Sequence, residues 1–331
     1  MPQMITTTNF PDFVANMEIV WRKAYTEFPK AASILYEIES TDVDTGDESS
    51  IDGYSVAKRK KQGEDFAYLQ LTQNYRKTWQ IQEIGGMTKI TWRMRRAAKY
   101  REINNRIAGI GTSAAKRLEL DLTHRITFGL VASYTNMDGE TVTTTVGDGY
   151  QLGYTAHTVP GSSTTYRNRI ANNPILSKGG IEAAEKLFAT QMIDTNGELV
   201  VEMPTHLIVS NDPNTVNTAL EYLRSTAAPD SSNSGVTNVY QAKYTLVVLP
   251  YLATTAAGAY DSTKAKMWAL ANLNHKDAIV KVLEPPTFIP PTEMDGKEFE
   301  TMDWKFACHA AYAIEIVDPK WIVLSDGLGT A

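Results

Sequence analysis

The chain has 331 residues, enough for one large domain or two to three modules with a substantial core. Its composition, 43% hydrophobic and 21% charged, excludes wholesale disorder, and no apolar run approaches the roughly 20 residues of a membrane span. The net charge of −6 argues against a protein whose main task is to grip nucleic acid. The N-terminus lacks the basic and apolar regions of a secretory signal, so we expect the chain to mature in the cytosol.

Two amphipathic helices are predicted in the first 133 residues, at 10–25 and at 90–133, because apolar side chains recur there three or four positions apart. The second run carries a single apolar stripe. Roughly 40 helical residues form a rod about 60 Å long. A helix of that length is too long to be covered by a single compact core. In an alternative interpretation, Gly109 and Gly111 divide this run into two ordinary helices of an α+β enzyme.

A β-ribbon is predicted between these helices, within residues 46–92. It begins with a polar, turn-rich stretch, and two strand-like runs follow at 67–73 and 78–84. We expect the two strands to pair and to be hydrophilic on both sides. Such an isolated ribbon is marginal in water unless it packs on a partner.

Charge is distributed unevenly along this part of the chain. Two basic runs occur, one at Lys58, Arg59, Lys60 and Lys61 and one at Arg93, Arg95, Arg96, Lys99 and Arg101. Four acidic residues precede them, Asp42, Asp44, Asp47 and Glu48. Neighbouring blocks of opposite sign are typical of a self-complementary assembling protein, although a solvated loop shows them too. We therefore take the basic run at 58–61 and the four acidic residues as candidate contacts between subunits.

The rest of the chain mixes helices and strands without a strict β-α-β alternation, which predicts the α+β class. Residues 133–174 are loop-rich, and a helix at 176–192 has Ser177 as its candidate N-cap. In a further helix Asp212 caps the N-terminus and Pro213 takes the first position. Strands are predicted at 206–210, 244–252, 266–272 and 278–284, with two long strands on either side of Asp318.

Catalytic and ligand-binding motifs are weak. The run GIGTSA at 109–114 matches a dinucleotide pattern but follows a helix instead of a strand, which favours glycines that kink the helix or pack it closely. The five histidines lack ligand spacing, and Cys308 is expected to be a small buried hydrophobic residue. We predict no enzyme activity, no catalytic residue, no cofactor and no metal.

From residue 147 onward the order of features resembles the tailed-bacteriophage major capsid proteins, in particular the Mu-like head subunit branch. Upstream, an arm, an extended ribbon and a long helix follow in the order that this family uses. The similarity covers nearly the whole chain. It is carried by GDGYQLGYTAHT at 147–158 and by the segments 175–198, 204–226, 246–271 and 303–327.

The resemblance implies the Hong Kong 97-type capsid fold, an α+β fold with an N-terminal arm, an E-loop, a peripheral domain built on a long spine helix, and an axial domain. On this chain we expect the arm at 1–45, the E-loop at 46–92, the peripheral domain at 93–175 and 296–316, and the axial domain at 176–295 and 317–331.

The same resemblance implies a function and a set of partners. Subunits would assemble as pentamers and hexamers into an icosahedral head that encloses double-stranded DNA, formed in the host cytoplasm and located in the virion. No motif matches a cleaved N-terminal scaffolding segment, so we expect a separate scaffolding protein, a portal, room for a decoration protein, non-specific contact with the packaged DNA, and no membrane. The alternatives are an encapsulin-like shell of a bacterial compartment and, outside this fold, a soluble α+β enzyme.

Overall fold

The computed structural model describes residues 10–54, 56–69, 71–229, 236–291 and 302–329. Residues 1–9 of the predicted arm, 296–301 of the predicted peripheral domain, and 330–331 at the C-terminus lie outside the described residues. The described helices are α1 (Phe10–Glu27), α2 (Trp92–Arg96), α3 (Tyr100–Thr127), α4 (Lys178–Thr190) and α5 (Pro213–Arg224). Among them, none combines the length and the hydrophobicity that a bilayer crossing requires.

The strands pair in two four-stranded sheets and three two-stranded ribbons. In chain order they are β1 (Glu37–Ser40), β2 (Thr45–Tyr54), β3 (Leu71–Gln80), β4 (Gln82–Ile90), β5 (Ser133–Thr135), β6 (Thr141–Thr143), β7 (His157–Thr158), β8 (Thr165–Tyr166), β9 (His206–Ser210), β10 (Thr245–Leu249), β11 (Trp268–Ala271), β12 (Ala278–Ile289), β13 (Trp304–Ile316) and β14 (Ile322–Ser325). One sheet has the order β1-β12-β13-β4 and the other β10-β9-β11-β14.

The predicted long helix forms, but it is shorter than 90–133. It is interrupted at residues 97–99, where Ala98 adopts a φ of 51°, a left-handed conformation that α-helices exclude. The continuous part, α3, has 28 residues and is therefore about 42 Å long. It passes through Gly109 and Gly111 without a break, so the alternative with two helices divided at these glycines is wrong.

The predicted pairing of the ribbon is also wrong. Strand β3 pairs with β2, in the register Thr45 to Gln80, whereas β4 belongs to the larger sheet and pairs with β13. The sequence signal of β2 is weak, because TGDESSIDGY contains few β-branched or aromatic residues. The strand forms because β3 offers it a partner.

The later elements agree with the sequence prediction. Strand β9 covers 206–210 as expected. The Ser177 side chain accepts a hydrogen bond from the amide of Gly180 at the start of α4, and Asp212 accepts from two amides at the start of α5. These caps satisfy N–H groups that a helix start leaves without partners.

Three hydrophobic clusters form the core. Helix α1 packs on α3 through Met17 and Trp21 against Ile103 and Ile107. A second cluster lies between the two sheets and includes Ile126. The third cluster lies on the other face of the β10-β9-β11-β14 sheet, which helices α4 and α5 cover. Cys308 is buried in the first of these clusters, as predicted for a small hydrophobic residue.

Candidate assembly interface

The ribbon of β2 and β3 is anchored on the core at its root, because two aromatic side chains of β3 are buried. Tyr75 is 2% exposed and Trp79 is 5% exposed. The Tyr75 hydroxyl donates to the carbonyl of Thr158 at 2.7 Å. The expectation of a ribbon that is hydrophilic on both sides is therefore wrong for this half, where every second side chain faces the body of the subunit.

Two glycines make room for these aromatic rings. A β-carbon at Gly46 would stand 2.6 Å from the ring of Trp79, and one at Gly147 would stand 2.3 Å from the β-carbon of Tyr75. Real β-carbons do not approach other atoms so closely. Larger residues at these two positions would push the ribbon away from the core.

Polar contacts reinforce the root of the ribbon. Asn74 donates to the carboxylate of Asp318 at 2.7 Å, and the Lys77 ammonium donates to the carbonyl of Thr145 at 2.7 Å. Lys77 also lies 3.7 Å from Glu315. Burial lowers the pKa of Lys77 and raises the pKa of Glu315, so each charge depends on its neighbours.

The four acidic candidates fall into two groups. Asp47 accepts hydrogen bonds from Arg76 and from Thr78, which lower the pKa of its carboxyl. Glu48 lies 2.7 Å from the Lys281 ammonium on β12 and ties the ribbon to the sheet. Asp42 and Asp44 are exposed, and no described residue forms an ion pair with either.

The basic candidates lie at the other end of the ribbon, in the irregular segment 56–69 that connects β2 to β3. Lys58, Arg59, Lys60 and Lys61 are all exposed and form no ion pair within the described residues. The structure therefore does not bring the basic run together with the acidic residues inside one subunit. Charges that have no ion-pair partner among the described residues are available to another molecule.

Sequence reasoning missed two aromatic residues in this segment, which we call the ribbon tip. Phe66 is 81% exposed and Tyr68 is 100% exposed. The Lys60 ammonium stands 4.0 Å from the centroid of the Phe66 ring. Two large aromatic residues in a polar, turn-rich stretch are the sequence signal that could have indicated this exposed site. The sequence pattern instead placed Tyr68 in a predicted strand at 67–73.

Two carboxylates lie close together at the base of the ribbon, Asp318, which is buried, and Asp277, which is partly buried. A cavity of about 550 Å³ there is lined by Ser50 and Ile51 of the ribbon and by Asp277 and Asp318 of the core. Burial, and secondarily the charges of Asp318 and Glu48, raise the pKa of Asp277 to about 7. One of these carboxyl groups is thus readily protonated near neutral pH.

His157 is a buried titratable residue whose contacts lie within the core. The buried His157 ring lies 2.7 Å from Asp148 and 3.0 Å from the side-chain oxygen of Asn168. Within the described ranges, no group of three or more His, Cys, Asp or Glu residues could hold a metal ion.

Comparison with known proteins agrees with this architecture. A family model described as phage capsid protein matches residues 75–325, while no curated relative matches the sequence. The mature capsid of bacteriophage PhiM1 is 12% identical, with 90% of this chain and 86% of that chain covered and a TM-score of 0.52. The capsid of cyanophage P-SCSP1u is 11% identical, with the same two coverages of 90% and 86% and a TM-score of 0.51.

A virus-like particle from Pyrococcus furiosus is also similar, at 11% identity, with 94% of this chain and 98% of that chain covered and a TM-score of 0.47. At such identities the two phage structures with the higher scores establish the fold alone, and they confirm the α+β capsid fold of the Hong Kong 97 type. The Mu-like branch stays a prediction. Since the family model spans more than half of the chain, the protein belongs to the phage capsid protein family and is a structural major capsid protein.

Proposed function

We propose that this subunit assembles as pentamers and hexamers into the icosahedral head of a tailed phage, which encloses double-stranded DNA. It acts without enzyme activity, and its assembly takes place in the host cytoplasm. For the arm, the E-loop, the peripheral domain and the axial domain we propose the boundaries predicted from the sequence. The proposed partners are a separate scaffolding protein, a portal and a decoration protein.

The observation that carries this proposal is the contrast between the two ends of the ribbon. The root is fixed by Tyr75 and Trp79, whereas the tip presents Phe66 and Tyr68 to solvent beside four basic residues that form no ion pair with any described residue. Aromatic side chains are enriched in the interfaces between proteins. An anchored ribbon with an uncovered tip is suited to reach a neighbouring subunit.

Symmetry explains how a modest contact of this kind can build a shell. An exposed ion pair contributes under about 1 kcal/mol, so four such residues change the stability of one subunit little. Around a ring, the same contact repeats at every interface, and a heterologous contact that closes produces a ring of defined size. We therefore expect the tip to matter for assembly much more than for folding.

The test is to express the chain with and without a scaffolding protein and to examine the product by sedimentation and electron microscopy. Closed shells or sheets of pentamers and hexamers are expected. Monomers alone, across a broad range of protein and salt concentration and with scaffold present, would overturn the proposal. Particles filled with a co-encoded enzyme and lacking nuclease-sensitive content would instead identify a compartment shell.

A charge reversal tests the part played by the tip. Changing Lys58, Arg59, Lys60 and Lys61 to Glu should abolish or misdirect shells while the circular dichroism melting curve stays unchanged, because the four side chains are exposed. The matched change to Gln removes the attraction without adding repulsion and should give an intermediate yield. Normal shells from the Glu variant would mean that these residues are not contacts.

A further inference from the structure

A second basic region stands out because its charge opposes that of the whole chain. Residues 89–106 contain seven lysine and arginine residues and one acidic residue, Glu102, a local charge of +6 in a chain of net charge −6. The seven are Lys89, Arg93, Arg95, Arg96, Lys99, Arg101 and Arg106. A strong local excess of one sign points to a partner of the opposite sign.

Three of these residues contact other side chains of the subunit. Lys89 lies 2.7 Å from Asp303, Arg106 lies 3.3 Å from Glu102, and the Arg95 guanidinium stacks 4.0 Å from the centroid of the Trp304 ring. These contacts neutralise or shield their charges, so these residues contribute less to binding.

The other four form what we call the basic corner: Arg93, Arg96, Lys99 and Arg101. All four are exposed, and no described residue forms an ion pair with any of the three arginines. Lys99 has only a loose contact of 3.7 Å with Glu102. The Arg96 guanidinium lies 5.0 Å from the ring centroid of Trp92, which is itself 41% exposed.

The backbone gathers these residues into one place. Helix α2 ends in a tight turn at Ala98, and α3 begins two residues later. Within that turn the amide of Lys99 donates to the carbonyl of Met94 at 3.2 Å, so the chain folds back on itself. Two cations of α2 and two at the start of α3 therefore occupy one corner.

We propose that the basic corner binds the phosphate backbone of double-stranded nucleic acid. This inference rests on the proposed function, in which the packaged genome supplies the phosphate groups. Arginine is suited to the role, since its planar guanidinium donates two parallel hydrogen bonds to one phosphate. Contacts to phosphate carry no base preference, which suits a shell that must accept any sequence.

The surroundings favour phosphate over an acidic protein segment. Interfaces between proteins have an apolar, well-packed centre. Among residues 92–130, Trp92 is the single large hydrophobic residue with substantial exposure, and Met302, whose carbonyl accepts a hydrogen bond from Arg95, is a second one nearby. The exposed face of α3 continues with polar residues such as Asn105, Thr112 and Lys116. A surface with four exposed cations and few exposed apolar side chains matches a polyanion better than a folded partner.

The net charge of −6 limits how tightly one subunit can bind, but it does not prevent a local contact. Four phosphate contacts would give a slope of log K against log salt of about −3.6, at roughly 0.9 per contact. The affinity would then fall by about two orders of magnitude between 50 and 200 mM salt. Weak, salt-sensitive binding repeated at every subunit of a shell would hold the genome and leave it free to exit.

The experiment compares two fourfold variants of the full chain that lose the same charge. The corner variant carries Gln at Arg93, Arg96, Lys99 and Arg101. The control carries Gln at Lys178, Lys186, Arg224 and Lys266, which are exposed but scattered. Binding of each subunit to a fluorescent DNA duplex of about 30 base pairs is measured by anisotropy over a series of salt concentrations, and circular dichroism checks folding.

We expect the corner variant to bind at least tenfold more weakly at low salt, with a slope shallower by about 3 to 4, while the control keeps the wild-type slope. Equal losses in both variants would show a bulk charge effect and overturn the proposal. An unchanged slope in the corner variant would overturn it as well. If that variant also fails to form shells, the corner binds a protein instead.

Shell formation is measured separately on the same three proteins. A wild-type chain that forms no shells even with the scaffolding protein present contradicts the proposed function, whatever its DNA binding. Normal shells with an unchanged salt slope in the corner variant contradict only the inference on DNA. Should the fourfold variant melt early, the pair Arg93→Gln and Arg101→Gln is expected to give about half of the change in slope.

Discussion

Gly111 of α3 lies directly against the backbone of Trp21 in α1: a β-carbon at this glycine would stand 2.6 Å from the Trp21 carbonyl oxygen. Gly109, two residues earlier in the same motif, has no neighbouring atom within 4 Å of such a β-carbon. The sequence interpretation of these glycines as sites of close packing is therefore confirmed for Gly111. The first glycine has no such role.

This difference predicts opposite effects of the same substitution. Gly111→Ala should lower the free energy of unfolding by about 1 to 3 kcal/mol, because α1 must move away from α3. Gly109→Ala should raise it by up to about 1 kcal/mol, since alanine is the better helix former at an exposed site. Urea unfolding of both variants measures the two values, and similar values would show that α1 is not held this closely.

The hydrogen bonds of Glu119 lead to a second prediction, on the free energy of unfolding. Its side chain, 1% exposed, accepts hydrogen bonds from the amides of Ala31 and Ala32 at 2.9 and 2.8 Å, at the start of a 3₁₀ turn that follows α1. Glu119→Ala should cost about 2 to 4 kcal/mol, because it leaves these amides without an acceptor. Glu119→Gln keeps an oxygen acceptor and should cost clearly less.

Thermal unfolding checks this ranking. Limited proteolysis adds a local readout, because loss of the anchor should expose residues 28–36 to cleavage before the rest of the subunit unfolds. Equal destabilisation by Gln and Ala would show that the charge of Glu119, and not its hydrogen bonds, holds the turn.

The raised pKa of Asp277 leads to a prediction of how the stability of the subunit depends on pH. Its pKa is raised from an ordinary value of 3.8 to about 7, first by burial and then by Asp318, Glu48 and Glu37. The folded state therefore holds the proton more tightly than the unfolded chain does. The stabilisation from this group is fully present below about pH 4 and is lost as pH rises through about 7.

The variant Asp277→Asn isolates this contribution. At pH 8 it should be more stable than the wild type, by on the order of 1 to 3 kcal/mol, and the difference should shrink toward pH 5. Urea unfolding at both pH values gives the comparison. A difference that is the same at pH 5 and pH 8 would show that Asp277 does not titrate in this range.

Hydrogen exchange should separate the two ends of the ribbon in an isolated subunit. Amides at the tip, from 57 to 69, should exchange quickly, since they have few buried contacts. Amides from 74 to 80 should be protected, because Tyr75 and Trp79 attach that strand to the core. Uniform exchange along the ribbon would contradict the anchored root. Within the ribbon, assembly should slow exchange more at the tip than at the root.

The sequence by itself determined the elements with strong local signals. Helix α1, the two capped helices α4 and α5, and strand β9 follow from apolar spacing and from caps such as Ser177 and Asp212, because these signals act within one or two turns of the chain. The ordered set of segments also carried the resemblance to phage capsid proteins, which the family model confirms.

Only the tertiary structure decided how the strands pair and which parts of the ribbon are covered. The partner of β3 is a weakly hydrophobic strand, and the burial of Tyr75 depends on residues such as Gly147, more than 70 positions away in the sequence. Likewise, only the tertiary structure shows which charged side chains form ion pairs within the subunit. Glu48 pairs with Lys281, whereas Lys58 and Arg93 form no ion pair with a described acidic residue. Local patterns set the backbone elements, but pairing and burial arise from contacts between distant segments, which no short window of sequence contains.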